Sequence, residues 1–334
     1  MRLFVYMLFF LLAAVAGVGA WLYVNSIPTT QVALPTDPNG NVRPTDMPSA
    51  DKPPGNDART ARPGTPEIKT PPARLPLKPV DDALLDRTPD GALPKIAADG
   101  RLPWQYYARP FDKADKRPRV AVVLLDMGLD RATTARAIEE LPGAITLVFS
   151  PFADGLAEAA AKARLKGHEI LLALPMEPKD YPNNDPGRGA ITAAKDPLPA
   201  LNAVLGKLTG YVGVAAELGD NLTGSADRLR AVLTPLKSRG LLYLANHEMP
   251  LGLNEGTPPI AHVTLRLDAQ PNLAAVSAAM RGAEEIAHAN GAVIVATRPY
   301  PNVLTKLGAW VEQLEQQGLA AAPLTALAKN GLSN

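Results

Sequence analysis

From Arg119 to residue 321 the chain alternates short apolar runs with stretches whose apolar residues recur every three to four positions. The runs are Val120–Leu125, Ile145–Phe149, Glu169–Leu174, Tyr211–Ala215, Leu241–Ala245, Val263–Leu267, Ala292–Ala296 and a weaker Leu319–Ala321. The helix-like stretches are Arg131–Glu140, Leu156–Lys166, Leu198–Leu208, Asp227–Arg239, Asn272–Asn290 and Val303–Gln317. Unbroken apolar runs read as strands buried on both faces, and their alternation with helices points to parallel pairing through helical crossovers. So many short units in one stretch favour a closed or nearly closed α/β barrel, with an open doubly wound sheet as the alternative. No Gly-x-Gly-x-x-Gly follows the first run and no Gly-Lys-Ser/Thr loop occurs, which counts against nucleotide sites.

The chain before this domain has a different character. Residues 3–24 carry no charge. At ~1.5 Å per residue such a run spans a hydrocarbon core of ~30 Å, whereas a cleaved signal has an apolar region of only about 7–15 residues. Trp21 and Tyr23 stand where the membrane interface would fall. Residues 1–26 are therefore expected to be an uncleaved transmembrane anchor. Arg2, the only charge in the first 36 residues, directs the rest of the chain out of the cytoplasm. Residues 27–83, rich in Pro, Thr, Asp and Gly, are too polar to build a core and are expected to form a disordered tether. Residues 84–118, with Trp104, Tyr106 and Tyr107, read as a lead-in arm packed on the domain of residues 119–330. The absence of cysteine excludes thiolate metal sites and cysteine nucleophiles. A net charge of +1 without a basic block counts against nucleic-acid partners.

Parallel α/β folds place their chemistry at the carboxyl ends of the strands. There the sequence offers Asp126, Ser150, Glu177, Glu217, Asp220, Asn246-His247-Glu248, Asp268 and Arg298-Pro299-Tyr300. The first strand ends abruptly in Asp126, and Gly128 follows it at once. Of the four histidines only His247 follows a strand; His168 precedes one and reads as structural. One histidine cannot supply the nitrogen ligands of a hydrolytic zinc site. No Gly-x-Ser-x-Gly elbow supports serine-esterase chemistry.

Six segments in this order, Leu125-Asp126-Met127-Gly128-Leu129, Gly167-His168-Glu169-Ile170-Leu171-Leu172, Leu174-Pro175-Met176-Glu177-Pro178, Asp185-Pro186-Gly187, Tyr211-Val212-Gly213-Val214 and Arg298-Pro299-Tyr300-Pro301, resemble the divergent polysaccharide deacetylases, relatives of the NodB-type carbohydrate esterases. The resemblance covers about residues 90–328. It implies a deformed (β/α) barrel, an envelope location and an ancestral metal-dependent hydrolysis of N-acetyl groups on a polysaccharide such as peptidoglycan. It also exposes departures. Leu125 stands where the family has the first of two adjacent acids, Glu217 and Ala173 where it has histidines, Ala245 where an acid is expected, and Arg298 where it has a late histidine. Leucine can neither ligate nor accept a proton, and a guanidinium cannot act as a base.

These readings converge on a degenerate site at Asp126, Glu217 and Arg298, with Glu177, Asp220, His247 and Tyr300 as ligand contacts. Arg298 is expected to pair with Asp126 or Glu217 in place of a metal, so no cofactor is expected. The expected protein is a single-pass inner-membrane protein whose periplasmic domain binds an envelope polysaccharide or another protein. The alternatives are an active deacetylase using a divalent metal such as zinc on Asp126, Glu217 and His247, and a purely structural envelope protein.

Overall fold

The computed structural model describes residues 75–187, 189–216, 219–253, 256–270 and 272–329. The apolar run at 3–24, most of the tether and Glu217 lie outside the described residues. Among the described residues no helix is long and apolar enough to cross a membrane.

The alternation becomes one parallel sheet. Its strands are β3 (Arg119–Met127), β4 (Thr146–Phe149), β5 (Ile170–Leu174), β6 (Gly213–Ala216), β7 (Leu242–Ala245), β8 (Ile260–His262), β9 (Leu265–Arg266), β10 (Ala292–Thr297) and β11 (Ala320–Ala321). They follow a short hairpin of β1 (Leu85–Thr88) and β2 (Gly91–Pro94) in the arm. The sheet order is β8-β7-β6-β5-β4-β3-β10-β9, with β11 paired to the start of β3. The crossover helices are α2 (Arg131–Glu140), α3 (Leu156–Leu165), α4 (Pro197–Leu205), α6 (Ala226–Ser238), α7 (Leu273–Asn290) and α8 (Pro301–Gln313). Two short helices, α1 (Pro103–Tyr106) in the arm and α5 (Asp220–Thr223) after β6, complete the set.

The strand expected at Val263–Leu267 differs in a way that explains the architecture. The chain from Ile260 to Arg266 makes two short strands at opposite edges of the sheet. Val263 N–H bonds Ala245 O on β7, and Thr264 N–H bonds Ile294 O on β10. One extended stretch thus bridges the two edges, and the curled sheet forms a deformed barrel.

Two apolar layers follow from the period-two alternation of strand side chains. On β3, Val120, Val122 and Leu124 face the helices, while Ala121, Val123 and Leu125 face the barrel interior. The interior holds many small residues, including Ala215, Ala261 and Ala296, and its base is filled by the arm through Leu84, Ala97, Trp104 and Tyr107. Trp104 and Tyr107 of the arm lie in this interior cluster. Packed chain begins upstream of the expected arm: Leu77 is buried and its N–H bonds Arg164 O.

Below the sheet, Glu169 ties the arm and the C-terminal segment to the barrel. Its carboxylate accepts from Arg109 N at 2.9 Å, Thr325 N at 3.1 Å and the Thr325 hydroxyl. Burial pushes this carboxyl above the ordinary range, with the Thr325 and Arg109 bonds acting in the opposite sense. His168, next to it, bonds Ile145 O through Nδ1 at 2.8 Å, as expected of a structural residue.

Candidate functional site

Asp126 owes its position to an extra residue in β3. The β3–β4 register pairs Leu124 with Leu147 and Met127 with Phe149, so Leu125 and Asp126 together stand opposite Val148. This bulge restores Met127 to the helix-facing layer, where simple alternation would have turned it inward. Asp126 takes up the bulge with φ +57°, the only non-glycine in the left-handed region among the described residues. Such a conformation costs about 1–2 kcal/mol and marks a constrained position. The following Gly128, at φ +91°, is required by space as well. A Cβ there would lie 2.3 Å from that of Ala153. Its N–H is held by the Thr134 hydroxyl at 2.8 Å.

The bulge aims the Asp126 carboxylate at β10. Arg298 Nε donates to Asp126 Oδ2 at 2.8 Å. Arg298 also reaches Asp268: its NH1 lies 3.5 Å from Oδ2, and its backbone N–H donates to the same oxygen at 3.2 Å. Asp268 in turn accepts both Nε and NH2 of Arg266 at 3.0 Å. The result is a chain of alternating charge, Asp126–Arg298–Asp268–Arg266, that is neutral as a unit. Asp268 is its buried member, with a side chain 2% exposed against 25% for Asp126 and 46% for Arg298. Burial lowers the pKa of Arg298, but the hydrogen bond and charge of Asp126 and the charge of Asp268 outweigh it, so the net shift is upward.

Beneath this chain, Leu125 is 2% exposed and belongs to the interior cluster with Val123, Val148 and Ala296. Where the family is expected to carry an acid, this protein carries barrel packing.

The other expected site residues fall in different surroundings. The Glu177 carboxylate is nearly buried, accepting from Ala193 N at 2.9 Å and from the Asn221 side-chain amide. It joins the long loop after β5 to α5. Asp220 opens α5. His247 contacts the Tyr243 hydroxyl through Nε2 at 2.9 Å and Glu248 O through Nδ1 at 2.8 Å. Tyr243 packs in the outer, helix-facing layer. Tyr300 caps the start of α8 and is 45% exposed. Asp126 and His247 as placed do not fit a metal: a guanidinium faces one, and both ring nitrogens of the other are engaged. Among the described residues no three His, Asp or Glu side chains converge for an ion.

Two pockets open beside the ion chain. One, of about 270 Å³, is lined by Asp126, Leu129, Ser150, Phe152, Pro175 and Pro186 among others. The second, of about 470 Å³, is lined by Asp268, Gln270, Asn272, Leu273, Tyr300 and Asn302 among others. Arg266, Phe152 and Gln270 are not singled out by the sequence. Arg266 sits inside a run that reads as apolar strand, and the spacing Arg266-x-Asp268 is the local signal that could have marked it.

Residues 122–328 match the sequence profile of the divergent polysaccharide deacetylases. The chain is 23% identical to the uncharacterized protein YibQ of Escherichia coli K12 over 202 residues, 59% of this chain. That match spans 63% of the length of YibQ, less than two thirds of the relative. An uncharacterized protein of Agrobacterium tumefaciens C58, ATU2773, has a crystal structure that superposes with a TM-score of 0.67 at 30% identity. The superposition covers 71% of this chain and 99% of that one. With Asp126 at the mouth of its curled parallel sheet and the match running through β11, the chain belongs to the divergent polysaccharide deacetylase family.

Proposed function

We propose that this chain is a glycan-binding protein of the cell envelope whose deacetylase site has become an internal ion pair. The observation that carries this reading is the 2.8 Å contact between Arg298 Nε and Asp126 Oδ2. Metal-dependent deacetylation needs a cation that polarises the amide carbonyl and supplies a nucleophile from bound water. A guanidinium neutralises Asp126 but has no coordination position to offer and gives up no proton. The buried Leu125 beside it supplies neither a base nor a ligand. What remains is an open mouth with an exposed aromatic, Phe152, and hydrogen-bonding groups at its walls. Such a site binds without reacting. Family membership makes an envelope polysaccharide, with peptidoglycan the first choice, the natural ligand. Residues 3–24 anchor the chain in the inner membrane by a single span, and residues 27 onward carry the domain into the periplasm.

The test uses the full chain in detergent. Metal analysis is expected to find less than stoichiometric zinc, nickel or cobalt, and incubation with N-acetylated glycan strands to release no acetate. The chain is expected to be retained on peptidoglycan, and Phe152→Ala to weaken that retention. Acetate release abolished by Asp126→Ala would instead establish a working deacetylase. Loss of all retention would leave a structural envelope protein.

A further inference from the structure

The ion chain links the two pockets. Asp126 lines one and Asp268 lines the other, and Arg298 reaches both carboxylates. Ligand pockets usually enclose ~300–1,000 Å³. The first, at about 270 Å³, falls short of that range alone, and the second is about 470 Å³. Taken as two lobes of one groove they sit well inside it.

Each lobe carries one exposed aromatic. Phe152 is 49% exposed, with its ring edge 3.5 Å from where a Cβ on Gly187 would stand. Tyr300 is 45% exposed at the start of α8. Around these rings the polar groups are mostly uncharged. The first lobe has Ser150; the second has the amides of Gln270, Asn272 and Asn302. Side-chain amides and hydroxyls donate and accept alike, as do sugar hydroxyls and acetamido groups. The ion chain between the lobes is neutral as a unit, so an uncharged ligand crosses it without meeting a bare carboxylate. A guanidinium carries five N–H donors. Arg298, with two acid partners and 46% exposure, retains donors for a ligand hydroxyl at the crossing.

We infer that the mouth is a two-lobed groove that binds an internal stretch of an uncharged polysaccharide, with Tyr300 and Gln270 holding the sugar unit on the far side of Arg298 from Phe152. The inference rests on the glycan-binding reading and deepens it. The ligand spans at least two consecutive sugar units, and the site reads an extended chain rather than a free monosaccharide.

The test titrates the full chain with β-linked N-acetylhexosamine oligomers of one to six units by calorimetry. Affinity is expected to rise roughly tenfold or more between the monomer and the tetramer. Tyr300→Ala and Gln270→Ala, both at exposed side chains, are expected to lower tetramer affinity by roughly tenfold. Phe152→Ala is expected to weaken every length. A Tyr300→Ala protein that binds the tetramer as wild type does, with Phe152→Ala still impaired, overturns the second lobe and leaves glycan binding intact. Equal affinity for all lengths also overturns the two-lobed groove. Failure of the wild-type chain to bind any length sinks the glycan reading itself, and this inference with it.

Discussion

The Asp126–Arg298 pair can be measured directly by a double-mutant cycle. Arg298→Met keeps most of the apolar stem and removes the guanidinium. Asp126→Asn keeps a residue that tolerates the left-handed backbone and removes the charge. Two opposite charges about 4 Å apart attract by ~4 kcal/mol at an effective dielectric of ~20, but by only ~1 kcal/mol in water. With side chains 46% and 25% exposed, the pair stands nearer the water limit, and the measured range for exposed pairs is ~0.2–1 kcal/mol. The 2.8 Å charge-assisted geometry argues for the upper end, so a coupling of about 1 kcal/mol is expected. Arg298→Met alone should cost more, about 1–2 kcal/mol, because Asp268 also loses its 3.5 Å partner and keeps only Arg266 and one backbone N–H. For a domain of this size that is a drop in Tm of roughly 3–6 °C. Urea unfolding of the four proteins gives the cycle. A coupling below about 0.2 kcal/mol, or an Arg298→Met protein more stable than wild type, would refute the reasoning.

Three further outcomes follow from the same geometry. Restoring the expected acid by Leu125→Asp should destabilise the domain by at least ~3 kcal/mol without producing acetate release, since it removes interior packing and buries a carboxylate; a stable variant that takes up stoichiometric zinc would contradict this. At the bulge, Asp126→Gly should be more stable than Asp126→Ala by about 1 kcal/mol, because only glycine adopts φ +57° without strain; equal Tm values would show that the bulge is not strained. Glu169 has a folded pKa raised by burial, so its contribution to stability is fully present below the ordinary carboxyl value of 4.5 and is lost as pH rises through the raised value. Glu169→Gln, which removes one acceptor oxygen, should cost ~1–3 kcal/mol yet flatten the stability profile above pH 4.5, and an unchanged slope would count against it.

Much of the barrel was legible in the chain because buried parallel strands must be apolar on both faces. The runs at 120–125, 145–149, 169–174, 241–245 and 292–296 all contain strands, with ends shifted by a residue or two. The run at 263–267 differs in kind from a single strand. Its apolar residues satisfy two different edges, and nothing in their spacing tells one strand from a bridge between two. The hairpin at 85–94 left no alternation strong enough to mark it. Among candidate site residues, the substitution to arginine leaves two carboxylate partners open for Arg298, Asp126 and Glu217, and only the fold brings Arg298 against Asp126. Glu177 shows a different case: its place at a strand end suggested ligand contact, while its carboxylate serves a loop.

The sequence by itself determined the class of fold and which charged and polar residues stand at the carboxyl ends of its strands. These depend on side-chain type and period, which are local properties. Only the tertiary structure decided that Asp126 is the extra residue of a bulge, that Asp268 and Arg266 extend its ion pair, and that Phe152 and Tyr300 stand over lobes on either side of it. Those facts depend on register between strands far apart in the chain. A one-residue shift there turns every later side chain to the other face, and no local pattern records it.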